Sequence, residues 1–492
     1  MKKYGWSSFI VMFLGCLSLI GRPSAVFAQA DDMRLKKEVE ELKKRLSDVE
    51  KNLNNPPRTE AAPAEARVTV PQTKSAPFPE DFTWLNGNSR VSKPMIDNDW
   101  FTSQFMVDVN YTYDMNHPKD HTIDGSCEVG RSNEFQVQQL GIGGDLHYGN
   151  IRGRLMTQFG MYSQMTPRND SSPSRGQWLN NGNPYQYIAE GNAGYHFDVM
   201  HGVNVDAGIF MSYVGLFSYY QNENWAYQPS YVSANTPWFF NGVRVQTFPT
   251  EHLKIEYWLI NGWQSYGMFN ENPGLGGQIL YRPRGWISML SNNYWGYDTL
   301  GNPARQRFHT DNSIEIKYYD HRTGEISKAA FSVTLDAGCE SGGGVSCAGV
   351  GDRPKQDFLG YMIYNRVWFH QDKFAATIGG GGITNPGRYL ALMPPVNGAT
   401  AASGTPFFTQ NRGDSFKAWD YSFTGDYMPN QYITWRAEFN HRASNVPYFA
   451  GPGGMTPPGG NTGAAGSNPG TGWVPDLVRA ENRITLAMLV RL

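Results

Sequence analysis

Cysteine is scarce: four residues in 492, at positions 16, 127, 339 and 347, too few for a disulfide scaffold. An excess of charge of one sign is also missing. Forty-two Lys and Arg face 44 Asp and Glu, a net charge of −2, so there is no electrostatic basis for binding nucleic acid. Beyond the N-terminal leader no apolar run reaches the roughly 18–20 residues of a membrane-crossing helix. Motifs of covalent and cofactor chemistry are missing as well. There is no nucleophile elbow. The run Gly379–Gly382 is not followed by Gly-Lys-Ser/Thr, so it is no phosphate loop; in a strand it allows close approach or bending. DMNHPKDHTIDG departs from the calcium-loop pattern. His117 and His121 have the spacing of a metal pair but no evident third ligand. No cofactor, metal or catalytic residue is expected.

What is present comes in blocks. Lys2 and Lys3, an apolar stretch from Phe9 to Ile20 and small residues up to Ala28 or Ala30 read as a secretory leader, residues 1–28. Cys16 lies inside its apolar run. Export places the remaining thiols in an oxidising compartment. Cys339 and Cys347 bracket a glycine-rich loop and are the expected disulfide pair, which leaves Cys127 over. Over residues 31–54, Leu35, Val39, Leu42, Leu46, Val49 and Leu53 recur at steps of four and three with charged flanks. That is a heptad seam, read as a coiled-coil stalk; three heptads are marginal alone and call for association elsewhere. Residues 55–80 are rich in Pro and Ala and read as an extended linker. From about Phe82 the composition turns to aromatics, Gly and Asn, with 27 Tyr, 27 Phe and 14 Trp in the chain.

Residues 100–492 alternate with period two. In FTSQFMVDVNYTYD (101–114), Phe, Val and Tyr side chains share one face, and Gln, Asp and Asn share the other. Paired alternating stretches flank short turns near 147–150, 199–202, 248–252, 282–285, 320–325, 370–373 and 428–431, which makes seven hairpins. The opening stretch and ENRITLAMLVRL (481–492) bring the count to sixteen strands. Between hairpins run longer polar connections, including 114–133, 164–186, 215–239, 338–356, 385–413 and 444–479. The predicted fold is all-β: a transmembrane antiparallel up-and-down β-barrel of about 16 strands with a short N-terminal α-helical coiled-coil stalk. Short turns belong on the periplasmic side and long loops outside, with both barrel ends on the turn side. An Arg at mid-membrane on the lipid face costs about 2–4 kcal/mol, so Arg436, Glu438 and Arg442 should face a wet interior. Three places are irregular. The alternation slips near Gln139–Gly141, 358–369 can be read either way, and Leu489 breaks the polar face of the last strand.

GNIRGRLMTQFG, WFFNGVRVQTFPTEHLKIEYWLINGWQ, AWDYSFTGDYMPNQYITWRAEFNHR and the terminal ENRITLAMLVRL carry a resemblance to the OmpL-like family of outer-membrane β-barrel porins. It covers most of 100–492 and implies an outer-membrane location and passive transport. A heptad stalk before a barrel is similar to peptidoglycan-associated porins, which implies a cell-wall contact through the stalk. One departure is the last residue, Leu492, where outer-membrane barrels usually end in Phe.

In sixteen-stranded porins the third outer loop often folds inward. Here it corresponds to residues 217–239, with Tyr219, Tyr220, Glu223, Trp225, Tyr227, Tyr231 and Trp238 as constriction candidates. Such rings suit stacking on sugar faces; equally, they suit packing on the barrel wall or an interfacial aromatic girdle. Pore-lining candidates are Arg152, Arg154, Arg244, Lys254, Glu256, Glu315, Lys317, Arg436, Glu438 and Arg442. Both signs are represented, so weak ion selectivity is expected. The expected function is passive diffusion of small hydrophilic solutes through a water-filled homotrimeric barrel in outer-membrane lipid. The alternatives are an envelope tether anchored by the barrel, a solute-specific channel of the sugar type, and a barrel lipid hydrolase.

Overall fold

A strand with one apolar and one polar face, placed in hydrocarbon, must pair every backbone N–H and C=O with neighbouring strands and leave no edge. The computed structural model does this by ring closure. It describes residues 36–37, 39–45, 47, 76–119, 121, 123, 126, 128–166, 185–268, 271–299, 302–386, 389, 415–453 and 476–492. β1 (Phe101–Asp114) is followed by seven hairpins. These are β2 (Phe135–Tyr148) with β3 (Ile151–Thr157), β4 (Ile188–Phe197) with β5 (Val203–Met211), and β6 (Phe239–Thr250) with β7 (Leu253–Ile260). Next come β8 (Gly274–Arg284) with β9 (Ile287–Gly296) and β10 (Gln306–Asp320) with β11 (Ile326–Ser341). The last two are β12 (Asp357–Phe369) with β13 (Phe374–Thr384) and β14 (Lys417–Tyr427) with β15 (Ile433–Ser444). A separate two-stranded ribbon, β16 (Phe449–Ala450) and β17 (Leu477–Val478), precedes β18 (Ala480–Arg491). β18 pairs with both β15 and β1 and closes an antiparallel barrel of sixteen strands.

The two faces separate as the alternation requires. On β14 every second residue from Ala418 to Asp426 is buried, and Trp419, Tyr421, Phe423 and Tyr427 point outward and are exposed. Exposed aromatics gather at both strand ends. Tyr148, Phe197, Trp286, Tyr318, Phe374 and Tyr427 lie at the turn end; Tyr113, Phe135, Tyr187, Trp295, Phe308 and Trp419 lie at the loop end. From Trp419 to Tyr427 is eight steps of about 3.3 Å, a length on the order of the apolar band of an outer-membrane barrel. These are the two interfacial girdles of a membrane barrel.

The irregular places have physical causes. On β2 the register shifts opposite Asp108 and Val109, so Gln138 is an extra, buried residue: a bulge one residue before the slip expected from sequence. On β12, Leu359, Tyr361 and Ile363 face out, while Phe358, Met362, Tyr364 and Trp368 face in. Both sides are apolar because the inside of this wall is covered by protein. Leu489 is buried with Ile123, Val129 and Tyr227 for the same reason. The glycine run lies on β13 beside that interior, where a Cβ on Gly379 would fall 1.9 Å from the Tyr364 ring.

Cys339 and Cys347 are joined at the loop end of β11, with Cα atoms 5.1 Å apart. His117 contacts the Tyr113 hydroxyl at 3.0 Å, and His121 Nδ1 lies 3.0 Å from the Ser132 carbonyl oxygen. The chain divides into two units, 1–72 and 73–492. In the first, the described residues between 36 and 47 are helical, with Val39 and Leu42 exposed. The leader, the other seam positions, Cys127, linker residues up to 75 and residues 454–475 lie outside the described residues.

The outward face generates a test. Leu486→Arg, mid-strand on β18 and paired with Tyr111 and Ala437, should destabilise the barrel in lipid vesicles by about 2–4 kcal/mol. Reversible denaturant unfolding in vesicles measures it.

Candidate channel interior

All ten pore-lining candidates point into the barrel. The structure divides them into two groups. Arg152, Arg154 and Arg244 line one polar cavity of about 390 Å³ at the turn end of β2–β6, together with Asp145, His147, Glu190, Asn192 and His196. Charges here are matched. Arg154 donates to Asp145 at 3.0 Å and to Glu190 at 2.8 Å; Arg152 and Arg244 both reach Asp206, at 3.1 and 2.8 Å. Tyr220 donates its hydroxyl to Glu190 of this lining at 2.6 Å.

The other seven meet protein or one another. Lys254 pairs with Glu256 at 2.6 Å and Lys317 with Asp320 at 2.6 Å. Arg436, Glu438 and Arg442 are buried beneath the loop of residues 212–238, which enters the lumen from β5 and returns to β6. A loop buried in this way must still satisfy its backbone groups. Here the wall supplies the partners. Arg436 donates to the carbonyl of Asn224 at 2.6 Å, and Arg366 to that of Trp225 at 3.1 Å. Glu438 accepts from the amides of Tyr227 and Gln228 at 2.6 and 2.8 Å, and Asp420 from that of Tyr231 at 2.9 Å. The Tyr227 hydroxyl donates to Asp108 at 2.9 Å. Arg442 lies over the Tyr231 ring at 4.2 Å.

The loop candidates are therefore inside the barrel, as a constriction requires, but their rings are packed. Tyr219, Tyr220, Trp225, Tyr227, Tyr231 and Trp238 are all buried, and Glu223 is bound by Arg491. In this arrangement the rings pack against the wall and one another. Likewise, the Gln/Asp/Asn face of β1, expected to meet water, meets loop side chains at Asp108 and Asn110.

Sequence reasoning missed the acids that hold these bases. Asp426 lies between two guanidiniums, 2.7 Å from Arg436 and 2.8 Å from Arg366. A signal existed. Once the β14–β15 turn fixes the register, Asp426 falls opposite Arg436, Thr424 opposite Glu438 and Asp420 opposite Arg442; Asp145 opposes Arg154 on β2–β3 in the same way. Arg366, on β12, gives no such local cue. It also missed residues 78–93, which fold back onto the barrel end.

Removing one partner of a buried ionic group leaves the other charge unpaired. Asp426→Ala should therefore lower stability by about 3–5 kcal/mol. The heat needed to convert the folded barrel to the unfolded band on a gel, and its denaturant midpoint in detergent, should both fall. Asp145→Ala, at the open cavity, should change them much less.

Residues 101–467, well over half of the chain, match the family described as putative beta-barrel porin-2, OmpL-like. No curated protein matches the chain. Solved structures it is similar to include the anion-selective porin from Comamonas acidovorans, at 10% identity and TM-score 0.45, covering 80% of this chain and 99% of that one. The outer membrane channel DcaP of Acinetobacter baumannii gives 10% identity and TM-score 0.45, covering 81% and 99%. OprB of Pseudomonas putida gives 9% and 0.46, covering 80% and 94%. A ring of sixteen strands, greasy outside and charged within, thus joins a family match that spans β1 to β15, and the chain belongs to the OmpL-like family of outer-membrane β-barrel porins.

Proposed function

We propose that the barrel is a passive diffusion channel for small hydrophilic solutes and that the polar cavity at the turn end of β2–β6 is part of its path. The observation that carries this reading is the three arginines and matched carboxylates around about 390 Å³ of polar space, inside a wall whose outer face is apolar. Balanced charges of both signs along one path favour weak ion selectivity over a strict filter. No step of this mechanism needs a cofactor or covalent chemistry.

The chain works, in this reading, as a homotrimer with residues 31–54 as a periplasmic stalk that contacts the cell wall. The heptad seam supports association. On the outer wall Ala376, Gly425 and Ala437 stand where their neighbours carry bulky rings, forming an apolar bay that a second barrel could approach. Residues 1–28 direct export.

Reconstitution in a planar bilayer under a salt gradient tests the proposal. Stepwise currents are expected, with a reversal potential close to that of a weakly selective pore. Arg152→Gln combined with Arg244→Gln should move it toward cation preference by unbalancing Asp206. Deleting 31–54 should leave the currents in place, whereas a primary tether would lose its envelope attachment. Folded protein that repeatedly carries no current, both intact and lacking residues 31–93, overturns the channel reading.

A further inference from the structure

The segment before β1 crosses the turn end of the barrel. It starts at Phe78, whose amide donates to the Glu251 carbonyl at 2.7 Å in the β6–β7 turn. It ends at the β14–β15 turn, where Arg90 donates to the Ile433 carbonyl at 2.7 Å and to the Thr434 hydroxyl at 2.8 Å. Those two turns are separated by the eight strands β7–β14, half of the sixteen-stranded ring, so the segment runs across a diameter. It then follows β15's start, with the Tyr432 hydroxyl donating to the Lys93 carbonyl at 3.0 Å.

In the middle it enters the lumen and meets the inward loop. Trp84 and Leu85 are fully buried. The Trp84 indole donates to the Gly285 carbonyl at 2.8 Å in the β8–β9 turn, which fixes it to the wall. The Asn86 amide donates to the Glu315 carboxylate at 2.8 Å, and the Asn86 side-chain oxygen accepts from the Trp225 amide at 2.7 Å. The Trp225 indole donates to the Trp84 carbonyl at 3.1 Å, and the Gly87 amide to the Glu223 carbonyl at 3.1 Å. Gly87 has φ +74°, and a Cβ there would fall 2.6 Å from the Leu216 carbonyl oxygen of the same loop. The fit of segment to loop therefore depends on the absence of a side chain at this one position.

We propose that residues 78–93 are a latch: they hold the loop of residues 212–238 in the lumen from the turn side, and the arrangement seen here is the shut state of the channel. Release of the segment withdraws partners from Trp225 and Glu223 and frees the loop to move from the path. Glu315 and Lys317, read from sequence as pore-lining charges, act instead on the latch, Glu315 by accepting from Asn86 and Lys317 by lying 5.7 Å from the Trp84 ring centre. The inference rests on the channel reading above and can fail separately from it.

The experiment compares the mature protein with Gly87→Val, Asn86→Ala and a chain lacking residues 31–93, each first shown to be folded by heat-shifted gel mobility. Two quantities are read: open probability in planar bilayers, and hydrogen exchange of the 224–228 amides. The latch predicts that Gly87→Val raises open probability about tenfold, the change expected from losing one or two net hydrogen bonds, and that the deletion, which removes all three bonds to the loop, raises it further. Exchange at Trp225 should accelerate alongside, with Asn86→Ala intermediate. If the variants conduct with the open probability of the parent, the latch is wrong while the channel reading stands. If no protein conducts, the channel reading and the shut state fall together, and exchange decides what is left: faster exchange in the variants upholds the hold of the segment on the loop, and unchanged exchange overturns that as well.

Discussion

Hydrocarbon offers a backbone amide no hydrogen-bond partner, and everything in this molecule follows from that. A β-chain meets the condition only by closing on itself, so β18 must find both β15 and β1. With sixteen antiparallel strands, an even number, both barrel ends fall on one side, here the side of the short turns, and the long loops lie on the other. Closure also divides each strand into a face that meets lipid and a face that does not. The aromatic girdles mark where the lipid stops.

The same constraint acts a second time inside. A loop that leaves water for the lumen carries amides and carbonyls that need partners, and apolar side chains supply none. The inner wall provides them with charged groups. Glu438 and Asp420 receive amides of the loop; Arg436 and Arg366 donate to its carbonyls. These charges cannot be buried singly, so they come as matched sets such as Arg366–Asp426–Arg436. The near-neutral balance of the chain is in this sense structural. At the turn end of β2–β6 the wall charges line a polar cavity instead.

Much of this was legible in the sequence because period-two alternation is local. Trp419, Tyr421 and Phe423 against Asp420, Ser422 and Thr424 reveal two faces with no knowledge of neighbours. Seven short turns and the final stretch give the strand count, and each turn fixes a register, from which Asp426 opposite Arg436 can be read. Cys339 and Cys347 were legible for the same reason, being eight residues apart on one loop. The wet face was legible only as polar. On β12 Tyr364, Trp368 and Met362 blurred the pattern because they pack on a loop more than a hundred residues earlier in the chain.

The sequence by itself determined the barrel, its sixteen strands, the side facing lipid and the inward direction of all ten candidate charges, because each depends on residues near one another along the chain. Only the tertiary structure decided what covers those charges. Trp84 reaches a carbonyl 201 positions away and Arg90 a hydroxyl 344 away, and no local spacing encodes either partner. Whether a polar wall meets water or another segment of its own chain is settled by which segments return to it, and that is a property of the closed ring.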